Sequence, residues 1–278
     1  HFLINAPDYI DRSGIMTQFV KQFYSGTAYI PKELILEEEL VKEEEPAIIE
    51  LLESMRGAKV TITVPRKGEK HKMVELAARN AAITFERIGE RIKKEQKQTV
   101  GALNEIKEAL SLNKIPERIE SYDISNTQGF ESVGSMVVFE NGKAKNSDYR
   151  KFKIKTVVGA NDFASMKEVI TRRLIHYLKE KDEMGSFARL PDMIFVDGGK
   201  TQIAAAAEAM EEVGIFVPVC GMVKDDRHRT RGLLYNNEEI ELKSNSEGFK
   251  LITRIQDEVR RFAIEYHRKL RSEKQVHS

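Results

Sequence analysis

Four apolar residues in a row, Met193-Ile194-Phe195-Val196, stop at Asp197-Gly198-Gly199-Lys200. A run this short and uninterrupted marks a strand covered on both faces, which places helices on each side of a sheet. Helical recurrence precedes it over 162–178 (Phe163, Met166, Val169, Ile170, Leu174) and follows it over 202–213; a further apolar strand is expected over 216–223. Ahead of these, strands are expected over 118–124, 133–140 and 149–154, with Asn141-Gly142 as a hairpin turn between the second and its return. A small strand over 239–242 leads into a last helix, where Ile252, Ile255, Val259, Phe262 and Tyr266 recur at helical spacing. The order of three strands, helix, strand, helix, strand, helix predicts an α/β domain with a mixed sheet flanked by helices.

The preceding residues read as a smaller α/β region. Strand-like runs at 1–5, 33–36 and 59–64 alternate with a helix through Ile15, Phe19 and Phe23 that ends near Ser25-Gly26. A second helix starts at Pro46 and stops at Gly57. The acidic run Glu37-Glu38-Glu39 with Glu43-Glu44-Glu45 is the pattern of a solvated surface. From His71 to Leu112 there is no proline, and Met73, Leu76, Ala77, Ala81, Phe85, Ile88 and Ile92 form one stripe, the pattern of one long helix or two abutting ones. Asn113-Lys114-Ile115-Pro116 ends it, so the expected domains are 1–112 and 113–278.

Composition excludes several classes. Lys+Arg is 45 against 44 for Asp+Glu, a net charge of +1, so no uniform basic coat for nucleic acid exists and only local patches remain. No apolar stretch is long enough for a membrane helix. The single cysteine, Cys220, allows neither an internal disulfide nor a cysteine zinc cluster, and a reducing cytoplasm fits best. The chain starts at His1 without methionine and reads as an excised fragment.

Two aspartates end strands. Asp123 lies at the end of an alternating strand and Asp197 at the end of the buried one. Such a residue either caps a turn or belongs to a site, because ligands of α/β sheets gather at strand carboxyl ends. On adjacent parallel strands the two would stand about 5 Å apart and repel unless a cation or a proton lies between them. Oxygen ligands favour a hard ion such as Mg²⁺ or Mn²⁺, which can orient a phosphodiester and activate water. His267, beside the apolar stripe of the last helix, is either structural or the centre of a basic surface formed by Arg260, Arg261, Arg268, Lys269, Arg271 and Lys274. That cluster suits a helix C-terminus as well as a phosphate backbone. A second basic segment runs through Lys224, Arg227, His228, Arg229 and Arg231. Gly198-Gly199-Lys200 lacks the Walker spacing and suffices as a tight strand-to-helix turn, so nucleotide hydrolysis is not expected.

These motifs have a familiar order. Tyr122-Asp123-Ile124-Ser125-Asn126-Thr127-Gln128-Gly129, Ser147-Asp148-Tyr149-Arg150-Lys151-Phe152, Asp197-Gly198-Gly199-Lys200 and the segment from Arg261 to Lys269 resemble the bacterial UvrC family of the ABC excinuclease across about 118–271. The first 112 residues are similar to the segment that precedes the endonuclease region in that family. The resemblance implies a ribonuclease H-like fold and a metal-dependent nuclease that cuts damaged double-stranded DNA on the 5′ side of a lesion. It implies Asp123, Asp197 and His267 as metal-binding catalytic residues, with Mg²⁺ or Mn²⁺ as cofactor. It adds Asp162, in Gly159-Ala160-Asn161-Asp162-Phe163-Ala164, where helix N-capping competes with a catalytic role. Arg260, Arg261, Arg268, Lys269, Arg271, Lys200, Arg229 and Arg231 are the expected DNA contacts. UvrB, with UvrA upstream, is the implied partner, and no membrane is involved.

The sequence departs from the family pattern at Arg260, where many relatives carry histidine, and in an extra stretch around 181–189. The family's GIY-YIG nuclease, UvrB-binding segment and helix-hairpin-helix pair are not in this chain, so weak DNA binding without damage targeting is expected. Residues before 113 could form a ribonuclease H-like domain that has lost its acids. The competing reading is a non-catalytic DNA- or protein-binding module of nuclease shape; a transposase or junction resolvase of the same fold fits the motifs less well.

Overall fold

The computed structural model describes residues 11–125, 132–157, 159–183, 185–224 and 230–276, without the side chains of 230 and 266–276. The strand expected over 1–5 lies outside these. The chain divides into two compact units, His1–Ile92 and Lys93–Ser278.

In the first unit, α1 (Arg12–Ser25) starts where the Asp11 carboxylate accepts from the Gly14 N–H at 2.8 Å. Strand β1 (Glu33–Ile35) pairs in parallel with β2 (Thr61–Thr63), and α2 (Glu45–Arg56) connects them. Pro46 sits in the first turn of α2, and Gly57 ends it at φ 72°, a left-handed turn that costs glycine little. Val20, Leu34, Ile48, Leu52 and Val60 form a core of their own.

Helix α3 (Glu69–Gln96) buries none of its residues. It passes through a π-helical turn, Lys97–Gly101, into α4 (Ala102–Ala109). Here the structure departs from the expected division at 112/113. Ala102, Leu103 and Ile106 of α4 are buried in the second unit's core, so apolar packing draws the end of the long helix across the expected boundary.

The second unit is built on an eight-stranded mixed sheet. Strands β3 (Arg118–Ser125) and β4 (Val133–Glu140) are antiparallel, and β4 also carries β5 (Lys143–Ala144) and β6 (Arg150–Lys153). Asn141 (φ 50°) and Gly142 (φ 77°) make the expected β4–β5 hairpin turn. Strand β7 (Met193–Val196) lies parallel to β3, and β8 (Val219–Lys224) parallel to β7. Strands β9 (Thr230–Tyr235) and β10 (Glu238–Glu241) complete the order β10-β9-β8-β7-β3-β4-β5. All four residues of β7 are buried, as its unbroken apolar run requires.

Helices α5 (Asp162–Glu180) and α6 (Lys200–Val213) pack together on one face of the sheet. Helix α7 (Glu247–Val276), with α4, covers the other. This is the mixed, doubly covered sheet expected from the element order. Among the described residues no helix is long and apolar enough to cross a membrane.

Candidate active site

Strands β3, β7 and β8 run parallel, so their carboxyl ends share one edge, where ligands of such sheets bind. Asp123, Asp197 and Lys224 occupy it. The Asp197 N–H donates to the Tyr122 carbonyl at 3.0 Å, which carries the β3–β7 register one residue past β7 and sets Asp197 beside Asp123. The chain then turns through Gly198-Gly199 into α6. This turn lies close on β8: a Cβ on Gly221 would stand 2.5 Å from the Gly198 carbonyl oxygen. Glycine at 221 is what lets the Asp197 turn sit there.

Asp197 is nearly sealed, its side chain 4% exposed. Its Oδ1 accepts from Gln256 Nε2 at 2.9 Å. Its Oδ2 accepts from Lys224 Nζ at 2.8 Å and from Arg260 Nε at 3.4 Å. Gln256 and Arg260 are one turn apart on α7, so the helix that covers this face also positions the carboxylate. Burial raises the Asp123 carboxyl to about 7, and the Asp197 charge adds to the rise; Lys224 and Arg260 oppose it, and Asp162 contributes a further upward push. Ser135 pairs with Asp123 across β3–β4, so both side chains stand on the same face. Among the described residues its buried Oγ has no hydrogen-bond partner.

The structure therefore brings Asp123 and Asp197 together. Asp162 is the first residue of α5, exposed and within electrostatic reach of Asp123. It is not the helix cap: Asn161 takes that role, its side chain accepting from the Ala164 N–H at 3.0 Å. His267 lies on α7, seven residues beyond Arg260 and eleven beyond Gln256, two and three turns on along the same helix face. Its side chain is outside the described residues. Among the described residues no group of three or more His, Cys, Asp or Glu could hold a metal ion.

The expected DNA contacts divide. Arg260 donates to Asp197 while its side chain stays 30% exposed. Arg261 is engaged by Glu258 at 2.7 Å and by Glu265 at 2.9 Å. Arg231 pairs with Glu239 across β9–β10. Lys200 is exposed at the first position of α6. Arg229 and the side chains of Arg268, Lys269 and Arg271 lie outside the described residues.

Sequence reasoning misses three members of the site. Lys224 reads as part of a basic segment, although it ends the apolar run of β8 as Asp197 ends that of β7, and the same signal identifies both. Gln256 can be found only from its position one helical turn before Arg260. Ser135 carries no signal until β4 is set in register against β3.

A doubly covered mixed sheet with an acid pair at the carboxyl ends of its parallel strands has the architecture of a ribonuclease H-like domain. Family comparison makes this specific. The profile described as "UvrC RNAse H endonuclease domain" matches residues 107–264, and that described as "UvrC Ribonuclease H-like domain" matches residues 1–88. The chain belongs to the UvrC ribonuclease H endonuclease domain family. UvrABC system protein C of Clostridium novyi is 48% identical over 291 residues, covering 100% of this chain and 46% of that protein. Its counterpart in Lachnospira eligens is 49% identical over 281 residues, covering 100% and 45%. The chain thus spans about half the length of the curated relatives it matches. Among solved structures, human ENDOV aligns at 9% identity and TM-score 0.30 over 53% of this chain and 86% of that one. A Ciona intestinalis Endonuclease V complex with inosine-containing DNA aligns at 16% identity and TM-score 0.28 over 39% and 48%.

Proposed function

We propose that this chain is a divalent-metal-dependent DNA endonuclease that makes the 5′ incision in nucleotide excision repair, as part of a UvrABC excinuclease. The observation that carries the reading is the register that sets Asp123 beside the nearly sealed Asp197 at the carboxyl ends of parallel strands. Family membership supports the assignment to DNA repair, with UvrB as partner, UvrA upstream and damaged duplex DNA as substrate.

The donor set fits a hard cation. Two carboxylates supply oxygen ligands, and the Ser135 hydroxyl opposite Asp123 is left over for a hydrogen bond to a ligand carboxylate or a water. Asp123 and Asp197 would hold Mg²⁺ or Mn²⁺, with His267 as third ligand or as base and Asp162 at the rim. The bound ion would supply charge neutralisation at the phosphate and a more acidic water. The chain's own residues do the positioning. Gln256 fixes the Asp197 carboxylate through Oδ1, while Oδ2 faces Lys224 and Arg260. Asp123, with its carboxyl near 7, is about half protonated at neutrality, and a cation beside it would favour the ionised form. Neutral imidazole at His267 can accept the proton of an attacking water. Lys200, Arg260, Arg261, Arg268, Lys269, Arg271, Arg229 and Arg231 are the proposed backbone contacts.

The test is nicking of supercoiled DNA with Mn²⁺ or Mg²⁺, run beside an Asp123→Asn chain. Loss of at least about a hundredfold in the variant is expected for a residue that holds the catalytic ion. Nicking at the parental rate by Asp123→Asn would overturn the reading. One observation favours the alternative of a non-catalytic module: Asp197 already accepts from Lys224, Gln256 and Arg260. On that reading the chain takes up no Mn²⁺.

A further inference from the structure

The nitrogen donors around Asp197 raise a question that the acid pair alone does not. With Asp123 and Asp197 ionised, the pair carries two negative charges, and Lys224 and Arg260 bring two positive ones. In that ionised form the cluster is neutral. A divalent ion added to it would leave an uncompensated double positive charge in a buried place, an arrangement that costs heavily. One of the resident cations has to leave the carboxylate, or an anion has to arrive with the metal.

Lys224 is built to move. Its side chain is 29% exposed while Asp197 is 4% exposed, so its ammonium stands where the buried carboxylate meets water. It ends β8, the third parallel strand of the edge, and the β8–β9 register is irregular between Val223 and Lys224. Val223 pairs with Gly232 but Lys224 with Thr230, so β9 advances two residues against one of β8. Irregular pairing of this kind occurs where a strand re-aims a side chain near a site. Lysine also carries a compact charge on a flexible stem, whereas the Arg260 contact is longer and anchored on a covering helix.

We propose that Lys224 is the resident counter-cation of this centre, displaced from Asp197 when a divalent ion binds and then turned onto the phosphate of the bound DNA strand. This rests on the endonuclease reading above and adds to it a residue that couples metal uptake to substrate. Metal and DNA then bind cooperatively, because the phosphate supplies the negative charge that the displaced ammonium needs.

The experiment is calorimetric titration of the chain with Mn²⁺ alone, in the parental protein, Lys224→Met, Lys224→Gln and Asp197→Asn, with single-turnover nicking measured at saturating Mn²⁺. Removing one positive charge from beside Asp197 should tighten Mn²⁺ binding roughly tenfold in Lys224→Met and Lys224→Gln. Nicking by the same variants should fall by about a hundredfold despite full metal occupancy, as when a transition-state phosphate contact is lost. A merely structural lysine would weaken or leave unchanged the Mn²⁺ affinity, and either result overturns the proposal. So does parental nicking at saturation. If the parental chain itself takes up no Mn²⁺, the endonuclease reading falls and the role of Lys224 falls with it. If Mn²⁺ binds, is lost in Asp197→Asn and is indifferent to Lys224, only the proposal for Lys224 is overturned.

Discussion

Strand β3 carries charge at both ends, and the two ends pair it differently. At the amino end Arg118 and Glu120 share the face covered by α5, where Arg173 meets them. Arg118 Nη1 donates to Asp148 at 2.8 Å, and Glu120 accepts from Arg173 Nη2 at 2.7 Å and from the Tyr122 hydroxyl at 2.6 Å. Spare guanidinium hydrogens go to the carbonyls of Ser186, Phe187 and Arg189, which fasten the extra stretch between α5 and β7. Two cations answer two anions, and Arg118, Glu120 and Arg173 are at most 2% exposed. At the carboxyl end, on the α7 face, two carboxylates stand beside each other, Lys224 and Arg260 both lie on Asp197, and Asp123 is raised to about 7. Depth of burial therefore does not identify a site: among the described residues the deepest charges of this unit are those in which each anion has its own arginine. Like charges set together at the strand ends are the feature on which the proposed site rests.

The contrast can be broken most directly at Glu120. Glu120→Ala would leave Arg173 buried beside an empty acceptor and should cost about 3–5 kcal/mol, the usual penalty for removing one partner of a buried ion pair. Urea unfolding of the variant measures this. A loss below about 1 kcal/mol would show that the amino-end network contributes little, and the distinction between the two ends would collapse.

Gly221→Ala sharpens the comparison from the other end. The new Cβ would stand 2.5 Å from the Gly198 carbonyl and 3.0 Å from Ile203 Cδ1, and the backbone oxygen can yield only by moving the Asp197 turn. The expected cost is about 2 kcal/mol, in the range of overpacked sites, accompanied by weaker Mn²⁺ binding. A stability loss with unchanged Mn²⁺ affinity would mean that the turn does not set the position of Asp197.

Much of this is legible in the chain. The β7 run announces a sheet covered on both sides, and Asp123 and Asp197 fall at strand ends that the fold brings together. What stays hidden depends on partners distant in sequence. Strand β9 is not expected, because Arg227, Arg229 and Arg231 give its approach the look of a polar loop; yet Asn236 (φ 49°) and Asn237 (φ 64°) form the turn into β10, a hairpin signal as good as Asn141-Gly142. The Arg118–Asp148 and Glu120–Arg173 pairs join residues that only the folded sheet and α5 bring within reach. The division between units follows the packing of α4, which no proline marks.

The smallest effect tests the acid pair itself, through pH. The Asp123 carboxyl sits near 7 in the folded chain, against an ordinary value of 3.8. Between those values the folded chain holds a proton that the unfolded chain has released. The unfolded state then binds fewer protons, so stability falls as pH rises across the window and is lowest above 7, where both states are ionised. Asp123→Asn keeps the shape and removes the charge. In metal-free buffer at pH 8 it should be more stable than the parent by on the order of 2 kcal/mol, less than the full shift implies because water reaches this edge of the sheet. The gain should vanish below about pH 4, where the parental carboxyl is protonated in both states. Added Mn²⁺ should close the gap at pH 8 by stabilising the parent alone. Thermal unfolding across pH 4 to 8, with and without Mn²⁺, reads all three. A variant less stable than the parent throughout would mean that Asp123 is held by favourable contacts like those of Glu120, and that the two ends of β3 do not differ in kind.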